Sequence, residues 1–275
     1  MSPSRQPDRQ PAGPSRYAKL IEAVFFHHYT RGDREVTFKR ADLEEAAAQL
    51  GIELPKNLGD LVYSFRYRTD LPPALRELLG PDEEWVIRAG GRSVYRMCIE
   101  RDPWIRPGAH YAQISVPDGT PGLIRLHARG DEQALLAIIR YNRLLDIFLR
   151  IACYSLQSHL RTTVRGVGQV ETDEMYVGID RRGAHYVVPV QAKGGKDRLG
   201  IVQIEQDFAV CDAHFSELIC RPVGAQFVEP NLIALFEFQR DGDGRVSVLE
   251  EKHYRLVPGD AFERGLLAGY RAEPA

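Results

Sequence analysis

The sequence predicts an α+β protein with two folded units, in which helices pack against sheets. A chain of 275 residues is long enough for one or two domains of roughly 100–200 residues each. A hydrophobic content of 44% and a charged content of 27% are typical of globular proteins, so a buried core is expected. Helical periodicity followed by a β-hairpin fills the first part of the chain. A helix, a hairpin, a second helix and further strands fill the rest.

Charge and composition exclude several classes of protein. The formal net charge is −2, which excludes a globally basic nucleic-acid coat but leaves room for a local basic patch. No uncharged apolar run reaches the roughly 18 residues of a membrane span, and the first residues lack the apolar segment of a secretory signal. The four cysteines form no CxxC pair, which favours free thiols and a cytoplasmic location.

The N-terminal end is predicted to be a disordered tail over residues 1–16. This stretch holds four prolines and three arginines and almost no apolar side chain. Such a composition cannot bury enough surface to offset the entropy of ordering the chain.

A first domain is expected over residues 17–107. Its predicted helices are 17–29, 40–50, 57–67 and 73–79, and its predicted strands are 84–87 and 93–99. Gly51 ends the second helix and Asn57 caps the third. Helices followed by a two-stranded ribbon are the order of a winged helix-turn-helix, with 57–67 as the recognition helix.

Basic and polar side chains on this domain predict contact with DNA. The residues expected to bind are Lys56, Asn57, Tyr63, Arg66, Arg68 and Arg92. Arginines and helix N-termini hold phosphates, and arginines read guanine edges. The alternatives are that these side chains form a solvated face on a docking or dimerisation module, or that Asp60 and Asp70 neutralise Arg66 and Arg68.

A second domain is expected over residues 108–275. The predicted order is a loop at 108–122, a long helix at 131–164, two strands around a turn at 180–183, a helix at 197–211 and extended stretches at 221–228, 232–238 and 246–249. Asp131 and Glu132 favour the N-terminus of the long helix. This order predicts an α/β sandwich with helices on the sheet.

Polar residues concentrate on the two strands around 180–183. The first strand reads QVETDEMYVG at 169–178 and the second reads HYVVPVQAK at 185–193. Side chains alternate between the faces of a strand. One face of the second strand is therefore apolar, with Tyr186, Val188, Val190 and Ala192. The opposite face carries Gln191 and Lys193.

The expected register brings chemically useful groups together. A hairpin centred on Arg182 puts Asp173 across from Gln191 and Glu171 across from Lys193, at about 5 Å, where two oxygen ligands can share a divalent ion. A shift of one residue would exchange Asp173 for Glu174. The alternative is an ordinary ion pair between Glu171 and Lys193 on an exposed hairpin.

This pattern resembles the PD-(D/E)xK nuclease superfamily, the fold of many restriction endonucleases. Asp173 matches the metal-binding aspartate, and Gln191-Ala192-Lys193 matches the (D/E)xK half-motif. Glutamine replaces the acid here, as in the Mrr-like branch of methyl-directed restriction enzymes. The resemblance covers roughly residues 130–240 and implies a restriction endonuclease-like α/β sandwich with a mixed central sheet.

The resemblance also implies a cofactor and roles. Mg²⁺ or Mn²⁺ would be held by Asp173, the amide oxygen of Gln191 and the backbone carbonyl of Ala192. Lys193 would position the attacking water, and Glu171 or Glu174 would supply a second carboxylate. Other polar side chains expected to line the site are Asn142, Gln157, His159, Gln203 and Gln206.

The implied activity is Mg²⁺-dependent hydrolysis of double-stranded DNA by a restriction or phage-defence endonuclease. Cleavage of both strands implies a homodimer, and a restriction role implies a companion DNA methyltransferase. The alternatives are a non-catalytic DNA-binding regulator whose second domain senses a ligand or dimerises, and a nuclease that acts on RNA. No HExxH zinc motif and no Walker loop is present.

Overall fold

The computed structural model describes residues 15–127, 131–194, 197–259, 261 and 271. The chain divides into two compact units. The first is Met1–Pro103 with Arg165–Gly168, and the second is Trp104–Val164 with Gln169–Ala275. The division after Pro103 falls close to the predicted boundary at 107. Residues 1–14 of the predicted tail lie outside the described residues, whereas Ser15 caps the first helix.

The first unit contains the predicted helices and hairpin. Its helices are α1 (Arg16–His28), α2 (Arg40–Leu50), α3 (Leu58–Tyr67) and α4 (Pro73–Arg76), and its strands are β1 (Glu35–Lys39), β2 (Glu83–Gly91) and β3 (Val94–Arg101). Gly51 ends α2 with a φ of 65°, and the side chain of Asn57 accepts the N–H of Gly59 at the start of α3. Both ends therefore form for the predicted reasons.

Strand β1 was missing from the sequence prediction. It pairs with β3 to give a three-stranded sheet in the order β1-β3-β2. Val36 and Phe38 point into the core, and the alternate residues Glu35, Thr37 and Lys39 are exposed. That alternation is the usual sign of a half-buried strand, but five residues are a short stretch in which to recognise it.

The second unit holds the elements that form the candidate site. Its helices are α5 (Gly122–His127), α6 (Glu132–Tyr141), α7 (Leu144–Leu149) and α8 (Ile201–His214). Its strands are β4 (Trp104–Ile105), β5 (Gln113–Pro117), β6 (Ala152–Val164), β7 (Gly168–Ile179), β8 (His185–Lys193), β9 (Leu199–Gly200), β10 (Ile219–Cys220), β11 (Val223–Glu229), β12 (Leu232–Arg240) and β13 (Val246–Val257).

A mixed sheet forms the centre of this unit. Among the described residues, eight strands follow the order β5-β13-β12-β11-β8-β7-β6, with β10 beside β8. Strand β8 runs parallel to β11 and antiparallel to β7. Alternate residues of β12 enter different cores. Ile233 and Leu235 pack with α6 and α7, and Ala234 and Phe236 pack with α8. The sheet is therefore covered on both faces, and the predicted mixed α/β arrangement is confirmed at this level.

The predicted long helix at 131–164 is wrong over its second half. Helix α6 ends at Tyr141, α7 is a short segment, and the chain continues as the edge strand β6. Arg143 and Arg150 have positive φ values of 52° and 57°, which break the helical path on either side of α7. Leu156, which the helical pattern placed on an apolar stripe, is 52% exposed. Pairing with β7 outweighs the local periodicity here.

The predicted loop at 108–122 is also partly wrong. Gln113–Pro117 forms β5, a parallel edge strand next to β13. Ile114 and Val116 pack against the core on the α6 side, so the strand carries the alternation of a half-buried edge. Only the segment that follows it has the expected turn chemistry, with Asp118 accepting the N–H of Thr120.

Other observations agree with the sequence. The four cysteines are free, and Cys153 and Cys211 are buried. Asp241 accepts the N–H groups of Asp243 and Arg245 and so forms a tight turn between β12 and β13. Among the described helices, none has the length and apolar character needed to cross a membrane.

Candidate active site

The two predicted strands form the expected hairpin. Strands β7 and β8 pair antiparallel from Ile179–His185 to Glu174–Val190, which is the register of a hairpin centred on Arg182. The side chain of Asp180 closes the turn by accepting the N–H groups of Arg182 and Ala184. The predicted register is therefore confirmed as far as Glu174.

Strand β7 departs from regular alternation at Asp173. Thr172 Oγ1 donates to Asp207 on α8, whereas Glu174 pairs with Arg140 on α6, and the two helices cover opposite faces of the sheet. Residues i and i+2 of a regular strand share one face. An irregularity of this kind re-aims the side chain at its centre and is common beside active sites.

Asp173 and Lys193 meet at the end of the hairpin. Asp173 Oδ2 accepts the backbone N–H of Ala192 at 2.9 Å and lies 3.5 Å from Lys193 Nζ. The side chains of Asp173 and Lys193 are only 13% and 10% exposed, so water screens the pair weakly. The predicted association of these two residues is present in the structure.

A second carboxylate reaches Lys193 from α6. Glu132 Oε1 lies 2.9 Å from Lys193 Nζ. Asp131 caps this helix by accepting the N–H of Ala134, which fixes where Glu132 begins the helix. From the sequence, Glu132 is expected only to favour the start of a helix. Nothing in its spacing indicates a contact with a lysine 61 positions away.

Gln191 belongs to a buried polar network on the α8 face. Its Nε2 donates to Asp207 Oδ1 at 3.1 Å and to the backbone carbonyl of Glu171 at 3.3 Å. Its Oε1 accepts from Gln203 Nε2 at 3.4 Å. Asp207 was not among the residues that the sequence indicated. Its carboxylate also accepts Thr172 Oγ1 at 2.7 Å.

Asp207 is an unusual buried acid. It is fully buried, and among the described residues its Oδ2 has no hydrogen-bond partner. Burial raises the pKa of Asp207 to about 7, although hydrogen bonds from Thr172 and Gln191 oppose this shift. A buried carboxyl in such a network is typical of a functional site, because stability alone does not favour it.

The remaining acids of β7 have other partners. Glu171 lies 3.1 Å from Arg161 and 3.8 Å from His159 on β6, and only its backbone carbonyl reaches Gln191. Glu174 is fully buried and bonds to Arg140 and to Ser155 Oγ. The second carboxylate observed beside Lys193 is thus that of Glu132, where the sequence suggested Glu171 or Glu174.

Of the other polar residues expected to line the site, some lie near Gln191 and others lie elsewhere. Gln203 contacts Gln191, and Gln206 is buried on the same helix. Asn142 instead accepts the N–H of Gly119 and donates to Thr120, so it fixes a turn. Gln157 and His159 are exposed residues of β6.

The oxygen donors fit a hard divalent ion such as Mg²⁺ or Mn²⁺ better than Zn²⁺ or Cu²⁺. Among the described residues, no group of three or more His, Cys, Asp or Glu side chains could hold a metal ion. Mg²⁺ needs less, because it is usually bound by one or two carboxylates, several waters and the substrate phosphate. Asp173, the amide oxygen of Gln191 and the backbone carbonyl of Ala192 are donors of that kind.

The predicted DNA-binding residues of the first unit lie on or beside α3 and on the hairpin turn. Lys56, Arg68 and Arg92 are exposed. Arg68 stacks over Tyr63 at 5.3 Å, and Arg66 stacks over Tyr67 at 5.7 Å.

The acids proposed as partners for these arginines have other contacts. Asp60 accepts from Asn57, and Asp70 pairs with Arg76. On the hairpin, Arg88 and Arg96 pair with Glu100 and Glu35.

Protein-family models, curated proteins and solved structures gave no match to this chain. The residues and their geometry therefore carry the functional argument.

Proposed function

We propose that this chain is a Mg²⁺-dependent endodeoxyribonuclease of the restriction or phage-defence type. One observation carries the proposal. Two carboxylates from different elements, Asp173 and Glu132, flank the ammonium group of Lys193. Gln191 lies two residues before Lys193 on β8. These groups gather at the end of a hairpin that is otherwise packed in apolar cores, where polar clusters are costly unless they serve a purpose.

The proposed roles follow from the chemistry of each group. Asp173, the amide oxygen of Gln191 and the backbone carbonyl of Ala192 hold the cation. A bound Mg²⁺ supplies charge stabilisation and lowers the pKa of a water molecule. Lys193, oriented by Glu132, positions that water and stabilises negative charge on the phosphate.

The first unit supports the choice of DNA as substrate. Helices are followed by a β-ribbon, and the exposed Lys56, Arg68 and Arg92 are side chains of the kind that hold phosphates. In this proposal α3 gives affinity or sequence preference, and a homodimer cuts both strands of the duplex. A companion DNA methyltransferase and a cytoplasmic location belong to the same proposal.

A second candidate is a DNA-binding regulator without catalysis. Two observations favour it. Glutamine stands where the resemblance calls for an acid, and Lys193 is already neutralised by two carboxylates. In that case the second unit senses a ligand or dimerises, and the polar cluster is a structural network.

Incubation of plasmid DNA with the full chain and Mg²⁺ tests the proposal. We expect fragments that disappear with EDTA and with Lys193→Ala. Lys252→Ala is the matched control, because this exposed lysine pairs with Glu250 on β13 and should leave cleavage unchanged. Methylated plasmid and structured RNA are parallel substrates.

Each outcome distinguishes the candidates. Cleavage of DNA but not RNA supports the nuclease proposal. Cleavage confined to methylated plasmid also supports it and adds a requirement for the modified base. If both unmethylated and methylated DNA stay intact while binding is retained, the regulator is favoured. If RNA is cleaved in preference to DNA, RNA is the substrate.

A further inference from the structure

We propose that Asp207 is a positioning residue, which holds the amide of Gln191 with its oxygen available to the cation. The inference rests on the proposed function, because it assigns a purpose to the orientation of one ligand. Asp207 comes from α8, whereas Gln191 lies on β8, so the contact joins two elements on one face of the sheet.

The hydrogen bonds determine which end of the amide points where. Gln191 Nε2 has two acceptors, Asp207 Oδ1 at 3.1 Å and the backbone carbonyl of Glu171 at 3.3 Å. A backbone carbonyl cannot donate a hydrogen bond. Exchanging the two ends of the amide would therefore bring Gln191 Oε1 against acceptors, and this orientation is disfavoured.

The amide oxygen of Gln191 has fewer hydrogen bonds than its amide nitrogen. Gln191 Oε1 accepts one long bond of 3.4 Å from Gln203 Nε2. An amide oxygen has two lone pairs, so Oε1 keeps the capacity to bind a cation. Partners that orient a metal ligand typically change metal affinity by about 10–100-fold when they are removed.

The position of Asp207 also explains the glutamine. A glutamate at position 191 would place a second carboxyl beside a fully buried one and would lose the amide hydrogens that Asp207 and the backbone carbonyl of Glu171 accept. Glutamine supplies the missing donor. Thr172 completes the arrangement by donating to the same oxygen of Asp207 at 2.7 Å. Gln191 and Asp207 are thus complementary as a pair.

Reversing the pair provides the test. Gln191→Glu alone creates the buried clash of two acids. Gln191→Glu combined with Asp207→Asn restores one donor and one acceptor between the two side chains with the polarity reversed, and the backbone carbonyl of Glu171 lacks its donor in both variants. Asp207→Leu removes the acceptor and replaces it with an apolar side chain that also branches at Cγ. Asp212→Leu is the control, because this residue lies on the same helix and forms an exposed pair with Arg240.

The measurements are the Mn²⁺ concentration for half-maximal plasmid cleavage and the Kd for Mn²⁺ by calorimetry, with circular dichroism as a check on folding. We expect Asp207→Leu to raise both by about 10–100-fold and Asp212→Leu to change neither. Gln191→Glu should be impaired at least as strongly. The double variant should return to within about tenfold of the wild type.

Two results overturn the inference. One is unchanged Mn²⁺ dependence in Asp207→Leu, and the other is a double variant that is no better than Gln191→Glu. If Asp207→Leu does not fold, the comparison of the double variant with Gln191→Glu still decides. A merely structural role for Asp207 predicts no rescue of metal binding by the reversed pair.

Failure of the proposed function gives a different result. A wild-type chain that binds Mn²⁺ without cutting DNA removes the nuclease, and calorimetry on the variants still tests Asp207. A wild-type chain that neither cuts DNA nor binds Mn²⁺ overturns both. If the wild type cleaves DNA and the Asp207 variants keep its Mn²⁺ dependence, only the positioning role of Asp207 is overturned.

Discussion

The two sets of polar residues that the sequence singled out differ in burial. On the first unit, Lys56, Arg68 and Arg92 are exposed. On the second unit, Asp173 and Gln191 are buried and have specified partners.

The difference shows how much each set tells about function. An exposed arginine costs little to keep, so its presence alone says little about binding. A buried acid loses its hydration and persists only with compensating contacts. We therefore base the proposed chemistry on the second unit and treat the first unit as the source of affinity.

The largest expected effect is on cleavage when Glu132 is changed. Glu132→Gln weakens the ion pair that orients Lys193, and we expect the cleavage rate to fall by about 100-fold with DNA affinity retained. Single-turnover cleavage and fluorescence anisotropy measure the two quantities. Gln133→Ala is the control, because this side chain is exposed on the same turn of α6. A normal rate in Glu132→Gln would remove Glu132 from the site.

A pair of arginines compares burial directly, because each pairs with a glutamate of β7. Arg140 contacts the fully buried Glu174, whereas Arg161 contacts the partly exposed Glu171. Arg140→Met leaves a buried carboxylate short of a partner, and we expect a loss of about 2 kcal/mol in the free energy of unfolding. Arg161→Met should change it by less than about 0.5 kcal/mol. Urea unfolding measures both, and equal effects would contradict the assignment.

Substitutions of the exposed residues on the first unit should affect DNA binding alone. In the proposed complex with DNA, Arg92→Ala at the turn of the β2–β3 hairpin would remove one phosphate contact, so we expect weaker binding and a salt slope smaller by about 1. Arg101→Ala, at the opposite end of the hairpin, is the control and should leave the slope unchanged. Anisotropy titrations at several salt concentrations give the slope. An equal change in both variants would argue against the hairpin turn as the contact.

The smallest effect concerns the turn that joins β7 and β8. Desolvation tends to raise the pKa of Asp180, but hydrogen bonds from Ala184, Arg182 and Tyr186 outweigh it and lower the pKa to about 2. The ionised carboxylate therefore stabilises the fold above about pH 4, and this contribution disappears as the pH falls toward 2.

Urea unfolding of the wild type and Asp180→Asn tests this pH dependence. The difference in unfolding free energy should be constant from pH 5 to 7 and shrink below about pH 4. Arg182→Ala keeps the backbone donors of the turn, so it should retain most of the pH dependence. A difference that does not vary with pH would contradict the role of Asp180.

The sequence predicted the hairpin well because its signals are local. A turn at Asp180 and the run of valines in β8 indicate both the strands and their register. The same reasoning failed at residues 152–164. Their apolar spacing is compatible with a helix, and only pairing beside β7 makes them a strand.

Local sequence patterns are sufficient to predict the elements whose causes lie within a few residues. These include the caps of α2 and α3, the β2–β3 hairpin, and the pairing that brings Asp173 near Lys193. The tertiary structure decided which distant groups join them. Glu132 and Asp207 reach the hairpin from helices on opposite faces of the sheet. Contacts of this kind depend on how the helices pack, which no local pattern encodes, because packing is set by burial summed over the whole core.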